Sequence, residues 1–285
     1  MKQAFILDFG GVITRTLFET HDISEAALGL ARGSLTWRGP FDPDSDPLWR
    51  DMQAGLISER DYWLMRTREV GRQVGENWDR METLVTRARG ADPAASIRPE
   101  AVASIEAAKA AGCRLGIISN ELDLFYGREL RQRVDVLRHF DCIIDATYTG
   151  ILKPDPRAYA LCVDQLGVPT ADCVFVDDQQ RNIDGALRAG MRAVHFDIAQ
   201  PAQSYRRALA LLGVPAPRAG AVPEGVEVVG RNGRPVAFND GGWWVRVEDW
   251  TPVAADVLPR RLLLERPGVR LKLVIDDWRL AARAP

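Results

Sequence analysis

With 285 residues, 46% of them apolar and 27% charged, the chain has material for about two folded domains and is not of disordered composition. Its formal net charge of −2 gives no bulk attraction to nucleic acid or to an anionic membrane, so neither is an expected partner. Four cysteines (Cys113, Cys142, Cys162, Cys173) lie in apolar stretches without CxxC spacing, which argues against a zinc or disulfide framework and fits reduced thiols in a soluble, cytoplasmic protein.

The first element is FILDFGGVIT, Phe5 to Thr14: an apolar run that ends on one carboxylate, Asp8, followed closely by Gly10 and Gly11. Ala4 to Leu7 reads as a buried strand, too short for a signal peptide, and no later run approaches the ~18 apolar residues of a spanning helix. From about Arg15 to Ala95 the pattern is helical and carries Trp37, Trp49, Trp63 and Trp78, interrupted by the turn-forming stretch GPFDPDSDP, Gly39 to Pro47. This insertion reads as a small helical cap whose tryptophans serve packing rather than substrate contact.

Short apolar runs then recur, each ending in a small or acidic residue. They are Arg114 to Ile118 before Ser119, Cys142 to Ile144, Cys173 to Val176 before Asp177, and Arg192 to Phe196 before Asp197. Helical patterns alternate with them, such as Val102, Ile105 and Ala108, or Leu130, Val134 and Leu137, or Ile183, Ala186 and Leu187. Such alternation predicts βαβ units and a parallel sheet, in which ligands gather at the carboxyl ends of the strands. From Val214 to Gly225 a Pro-rich linker follows, then strands around an Asn232-Gly233 turn, Gly241-Gly242 before WWVRVEDW, and runs near Arg261 to Glu265 and Val269 to Ile275 separated by Pro267-Gly268. These predict a separate five- or six-stranded module, a small β-barrel or a curled sheet. Its Trp243, Trp244, Trp250 and Trp278 are candidates for a barrel core, and its Arg231, Arg234, Arg246 and Arg270 for a basic face toward an unknown partner.

Asp8, Ser119 and the pair Asp177-Asp178 all fall at predicted strand ends. Singly, each reads equally well as a turn residue or helix cap; together they suggest a site. A carboxylate such as Asp8 can attack an electrophilic centre and form a covalent intermediate. Gly10 and Gly11 let backbone groups approach an ion closely, and Ser119 with Asn120 offers a hydroxyl and loop amides to a phosphate. In ILKPDPRAY, Pro154 biases Lys153 to an extended backbone while Asp155 and Pro156 suit an N-cap and first helical position, so Lys153 stands on a stiff turn. Two adjacent carboxylates repel unless a cation lies near them, and an all-oxygen set points to Mg²⁺.

DFGGVIT, the Ser119 loop, LKPDPRAY and FVDDQQRNIDGALRAGM, in this order, resemble the four signatures of the haloacid dehalogenase-like superfamily over roughly Met1 to Gln200. The stretch with WRDMQAGLISERDYW resembles the helical caps of its sugar-phosphate phosphatases and of the N-terminal domain of soluble epoxide hydrolases. The resemblance implies a Rossmann-like α/β core from residues 1–14 and 96–215, a cap from 15–95, and leaves 216–285 as the β module. It further implies that Asp8 attacks phosphorus in a small phosphate ester while Ser119 and Lys153 hold the phosphoryl group. Mg²⁺ would be bound by Asp8, the carbonyl of Gly10 and Asp178, with Asp177 acting directly or through water and Asn182 ordering the loop.

Gly10 departs from the commonest pattern of that superfamily, which has a second Asp there to protonate the leaving group. General acid/base catalysis is worth about 10²- to 10⁴-fold, so its source is the open question. Three readings follow: a phosphatase with a substitute acid near the cap hinge, such as Glu19 or His21, or with a leaving group that needs little protonation; a 2-haloacid dehalogenase; or a non-catalytic or weakly catalytic binding protein. The Asp177-Asp178 pair weighs against the dehalogenase, because attack on carbon needs no metal.

Overall fold

The computed structural model describes residues 2–89, 96–127, 130–216, 227–229, 235–240, 243–253, 256–266 and 269–275. The chain divides into two compact units, Met1–Ala216 and Pro217–Pro285.

In the first unit, β1 (Ala4–Leu7), β2 (Arg114–Ser119), β3 (Cys142–Asp145), β4 (Cys173–Asp177) and β5 (Arg192–His195) form a parallel sheet of order β3-β2-β1-β4-β5. Both faces of β1 are covered, which explains its unbroken apolar sequence. Phe5 and Leu7 pack into a cluster with Ile105, Ile117, Val174 and Leu209, while Ala4 and Ile6 join Tyr159, Cys162, Phe175 and Ile183 on the opposite face. Burial of each large side chain contributes about 1.5–3 kcal/mol. β1 pairs with β2 on one side and β4 on the other, so the connections reverse direction there and leave a crevice at the carboxyl ends of these three strands.

The insertion contains α1 (His21–Leu28), α2 (Pro47–Gln53), α3 (Glu59–Gln73) and α4 (Met81–Arg89). The core helices are α5 (Pro99–Ala110), α6 (Leu122–Tyr126), α7 (Leu130–Arg133), α8 (Ala146–Thr149), α9 (Pro156–Leu166), α10 (Gln180–Arg188) and α11 (Pro201–Leu211). The pattern at Leu130, Val134 and Leu137 is not one helix: α7 is followed by a 3₁₀ turn over Asp135–His139, with Val134 extended between them. The expected end of α9 is found, with Asp155 accepting the Arg157 N–H at 2.9 Å and Pro156 in the first turn.

The cap has its own core. Phe18 stands edge-on to Trp37 and Trp49, with centroids at 5.5 and 5.3 Å, and Trp78 is buried in the same cluster. Gly39 has φ +50, and a Cβ there would come within 2.5 Å of the Phe18 ring. Asp46, in the stretch read only as a turn, is fully buried. It accepts from Tyr62 OH at 2.8 Å, Trp49 N at 3.0 Å and Gly39 N at 3.1 Å, and pairs with the buried Arg66 guanidinium. The chain enters and leaves the cap through a two-stranded hinge, where Arg15 N donates to Ser96 O and Arg98 N to Ile13 O at 2.8 and 2.9 Å. Residues 90–95, at the expected end of the cap, lie outside the described residues.

The second unit is an antiparallel meander of β6 (Glu227–Val229), β7 (Pro235–Asp240), β8 (Trp243–Val253), β9 (Asp256–Arg266) and β10 (Val269–Val274). Among the described residues the sheet is open, with β6 and β10 at its edges, so of the two expected forms, barrel or sheet, it is the sheet. Val245, Val247 and Leu263 are buried, whereas Leu271, Leu273 and Val274 are exposed. Arg246 pairs with Glu248 and Arg270 with Glu265, so these two arginines do not form an unopposed basic face. The linker from residue 217, the three predicted turns, Arg231, Arg234, Trp278 and the side chains of Trp243, Trp244 and Trp250 lie outside the described residues.

The four cysteines are free. No helix among the described residues is long and apolar enough to cross a membrane. Asp46→Ala would leave Arg66 with Glu69 as its remaining carboxylate, unpair Tyr62 OH and Gly39 N and remove the α2 cap, and is expected to lower stability by about 2–4 kcal/mol in urea denaturation followed by tryptophan fluorescence. A loss below about 1 kcal/mol would show that Arg66 does not depend on Asp46.

Candidate active site

Asp8 lies one residue beyond β1 and is held by its N–H to the Val176 carbonyl at 2.8 Å. The chain then makes a wide turn closed by Thr14 N on Phe9 O at 3.0 Å. Gly11 in this turn has φ +78, and a Cβ there would sit 2.5 Å from Asp178 Oδ2, so the position must stay bare for the carboxylate. Gly10 differs: its backbone is extended, at φ −70 and ψ 129, and a Cβ would meet nothing within 4 Å.

Lys153 is buried between two carboxylates, donating from Nζ to Asp8 Oδ1 at 2.7 Å and to Asp177 Oδ2 at 2.6 Å. Burial alone would lower its pKa, but Asp177 and Asp8 overcome that and raise it, so the ammonium stays charged. Asn120 clamps the lysine backbone, with Lys153 N donating to Oδ1 at 2.7 Å and Nδ2 donating to Lys153 O at 3.2 Å. Its amide group is therefore engaged, leaving the Asn120 backbone as its route to a ligand. Ser119 ends β2 and is buried, its Oγ accepting weakly from Glu121 N at 3.4 Å.

Asp177 is fully buried and accepts from Lys153, from Gln179 N at 2.8 Å and from Asn182 Nδ2 at 3.0 and 3.1 Å. Asp178 has no ion pair among the described residues. Burial first, and then Asp177, Asp8 and Glu59, push its carboxyl well above the ordinary range. Burial likewise moves Asp8 up to about 7, with Lys153 pulling the other way. Carboxylate oxygens of Asp8, Asp177 and Asp178 all lie within 4.8 Å of one another. Three carboxylates facing one ammonium in a buried site fit a divalent cation with oxygen ligands, and because Asp177 already serves Lys153 and Asn182, Asp8 and Asp178 are the freer donors.

Asp8, Gly10, Gly11, Ser119, Asn120, Lys153, Asp178 and Asn182 line one cavity of about 100 Å³. Its roof is the cap, including Leu17, Phe18, Trp49 and Trp63, so two tryptophans expected only in packing also face the site. A wider open groove of about 980 Å³ borders it and shares Pro40, Trp49, Asp178 and Gln179. The cavity, which holds the carboxylates, is the centre of the chemistry.

Neither residue proposed as a substitute acid lines the cavity. Both Glu19 oxygens accept hydrogen bonds from Arg98, at 2.9 and 2.6 Å. His21 packs edge-on to Trp37 at 4.4 Å, its pKa pulled down to about 4 by burial and by Arg38, which leaves the ring neutral. Four residues went unnoticed in the sequence. Arg98, from the hinge, donates to Gly11 O at 2.9 and 3.1 Å and thereby fixes the glycine turn. Arg89, Glu59 and Glu121 line the cavity. For Glu121 the available signal was its position directly after Ser119-Asn120; for the other three the linear pattern held none.

A model of the haloacid dehalogenase-like hydrolase family matches residues 2–190, well over half the chain. The chain belongs to that family, as its four motifs suggested. Phosphatase MT3486 of Mycobacterium tuberculosis is 36% identical over 99 residues, covering 35% of this chain and 46% of that protein. (S)-2-haloacid dehalogenase 1 of a Pseudomonas species is 29% identical over 209 residues, 71% of this chain and 88% of that protein. Residues 211–278 match a model of outer membrane lipoprotein LolB, and Outer-membrane lipoprotein LolB of Nitrosococcus oceani is 40% identical over 70 residues, 25% of this chain and 33% of that protein. The chain thus spans less than half the length of the mycobacterial phosphatase and of the lipoprotein.

The two glycines should respond oppositely to a methyl group. Gly10→Ala is expected to stay within about 0.5 kcal/mol of the parent, whereas Gly11→Ala should lose about 1–3 kcal/mol through its positive φ and the Asp178 contact. Thermal denaturation of both variants checks this, and equal stability would mean that the turn relaxes freely.

Proposed function

We propose that this chain is a Mg²⁺-dependent phosphomonoester hydrolase acting on a small molecule through an aspartyl-phosphate on Asp8. The observation that carries the reading is the imbalance at the strand ends, where Asp8, Asp177 and Asp178 face the ammonium of Lys153 alone. A site for metal-free attack on carbon has no use for Asp178, which has no ion pair among the described residues.

In this reading the Asp8 carboxylate attacks phosphorus and the bond to the leaving oxygen breaks. Lys153 keeps Asp8 in place and has one of its three N–H donors left for a phosphoryl oxygen. Ser119 Oγ and the amides of its loop and of the Gly10-Gly11 turn supply further donors. Mg²⁺, held by Asp8, the Gly10 carbonyl and Asp178, with Asp177 reached through water, would neutralise charge as it develops on the phosphoryl oxygens. The cap excludes water and shapes the leaving-group pocket. The free thiols support a cytoplasmic setting. The C-terminal unit is an accessory binding module in this reading, since the site is built from residues 8–182.

A second reading, 2-haloacid dehalogenase, is favoured by Gly10 and by the similarity to the Pseudomonas enzyme over 88% of that protein's length. One assay separates the two. Purified protein is offered para-nitrophenyl phosphate, a panel of metabolite phosphates and 2-haloacids, with Mg²⁺ or with EDTA, beside Asp8→Asn. Phosphate release is expected with Mg²⁺ only, falling more than about 10³-fold in Asp8→Asn, while Asp178→Asn should raise the Mg²⁺ requirement about 10- to 100-fold. Metal-independent halide release would replace this reading with the second, and no turnover of any substrate would leave a binding role.

A further inference from the structure

The carboxylate absent at Gly10 has a counterpart elsewhere in the cavity. Glu121 follows Ser119-Asn120 and occupies the N-cap position of α6, yet its side chain makes no capping bond. That side chain is 9% exposed, and its Oε1 accepts from Arg60 Nε of the cap helix α3 at 3.2 Å. Among the described residues its Oε2 is buried without a partner, and Glu121 lines the same cavity as Asp8, Ser119 and Lys153. Burial pushes the carboxyl up to about 7; Arg60 opposes this, while Glu59 of α3 and Asp145 at the end of β3 add to it. Near neutral pH the group is therefore poised to give and to take a proton. Glu59 also lines the cavity but is tied to Arg181 at 2.8 Å.

We propose that Glu121 is the catalytic acid and base of this site, doing from the loop after β2 what a side chain at position 10 would otherwise do. The assignment rests on the phosphatase reading. As Asp8 bonds to phosphorus and the ester P–O bond breaks, the proton on Glu121 Oε2 passes to the leaving oxygen, which departs as an alcohol and leaves Glu121 as a carboxylate. Glu121 then takes a proton from the water that attacks the aspartyl-phosphate. The Asp8–phosphate bond breaks, phosphate leaves, and both carboxyl groups return to their starting forms. The Arg60 bond to Oε1 leaves Oε2 as the oxygen that carries the proton, and it links this role to a closed cap.

The test compares para-nitrophenyl phosphate, whose leaving group needs little protonation, with phenyl phosphate, whose leaving group needs more. Glu121→Gln retains an acceptor for Arg60, and kcat/KM is read because it reports the first chemical step. The variant is expected to lose about 10²-fold on phenyl phosphate but under about 3-fold on para-nitrophenyl phosphate. The parent's kcat/KM on phenyl phosphate should fall as pH rises through about 7, where Glu121 loses its proton, and that limb should vanish in the variant. Because position 10 has open space for a side chain, Gly10→Asp in the Glu121→Gln background should restore phenyl phosphate turnover, a rescue that a merely structural role would not allow. Equal losses on both substrates without rescue, or an unchanged variant in an enzyme that still depends on Asp8, would overturn the assignment while leaving the phosphatase standing. Failure of the parent protein to hydrolyse any phosphate ester would overturn both.

Discussion

One buried ammonium organises this site. Lys153 bridges Asp8 and Asp177, and in doing so joins the ends of β1 and β4 to the loop that leads into α9. A lysine in such a place is tolerable only with its charge compensated, and the two carboxylates are tolerable only with the lysine, so none of the three can be removed alone without stranding a charge. The surrounding bonds serve this arrangement. Asn120 fixes the lysine backbone, Asn182 and the Gln179 N–H fix Asp177, and the Val176 carbonyl fixes Asp8. The remaining carboxylate, Asp178, is left over by this accounting of charge among the described residues.

The cap is tied to this centre in two different ways. At the hinge, Arg98 holds Gly11 O and Glu19 together, so the turn that carries the glycines and the first residues of the cap share a single guanidinium. At the mouth, Arg60 meets Glu121, Arg181 meets Glu59, and Gln53 Nε2 donates to Gln179 Oε1 at 3.3 Å. The hinge contact is buried, whereas the mouth contacts are more exposed and weaker.

The sheet was legible because each parallel strand is buried on both faces and reads as an apolar run, and because a carboxylate at the end of such a run interrupts it visibly. Asp8, Ser119, Asp177 and Asp178 stood out for that reason, and Lys153 for its stiff turn; the structure brings Asp8, Ser119, Lys153 and Asp178 to one cavity, with Asp177 bonded to Lys153 beside it. What stayed hidden depends on contacts between distant residues. Asp46 lay in a stretch whose composition says only turn, and its partners Tyr62 and Arg66 are sixteen and twenty positions away. Arg98 precedes a helix, and nothing in the linear pattern ties it to Gly11 or Glu19. Glu121 was masked by its neighbours, and Glu19 and His21 were preferred for their nearness to the hinge, whereas one is spent on Arg98 and the other is enclosed by aromatic rings. In the C-terminal unit alternation identified strands but carried no information on closure, so an open sheet and a barrel read alike.

The bare position at residue 10 bears on how such a protein changes over generations. Glycine and aspartate codons differ by a single nucleotide, and the space beside Gly10 is already open, with a backbone any residue can adopt. A carboxylate can be gained or lost there without repacking the interior.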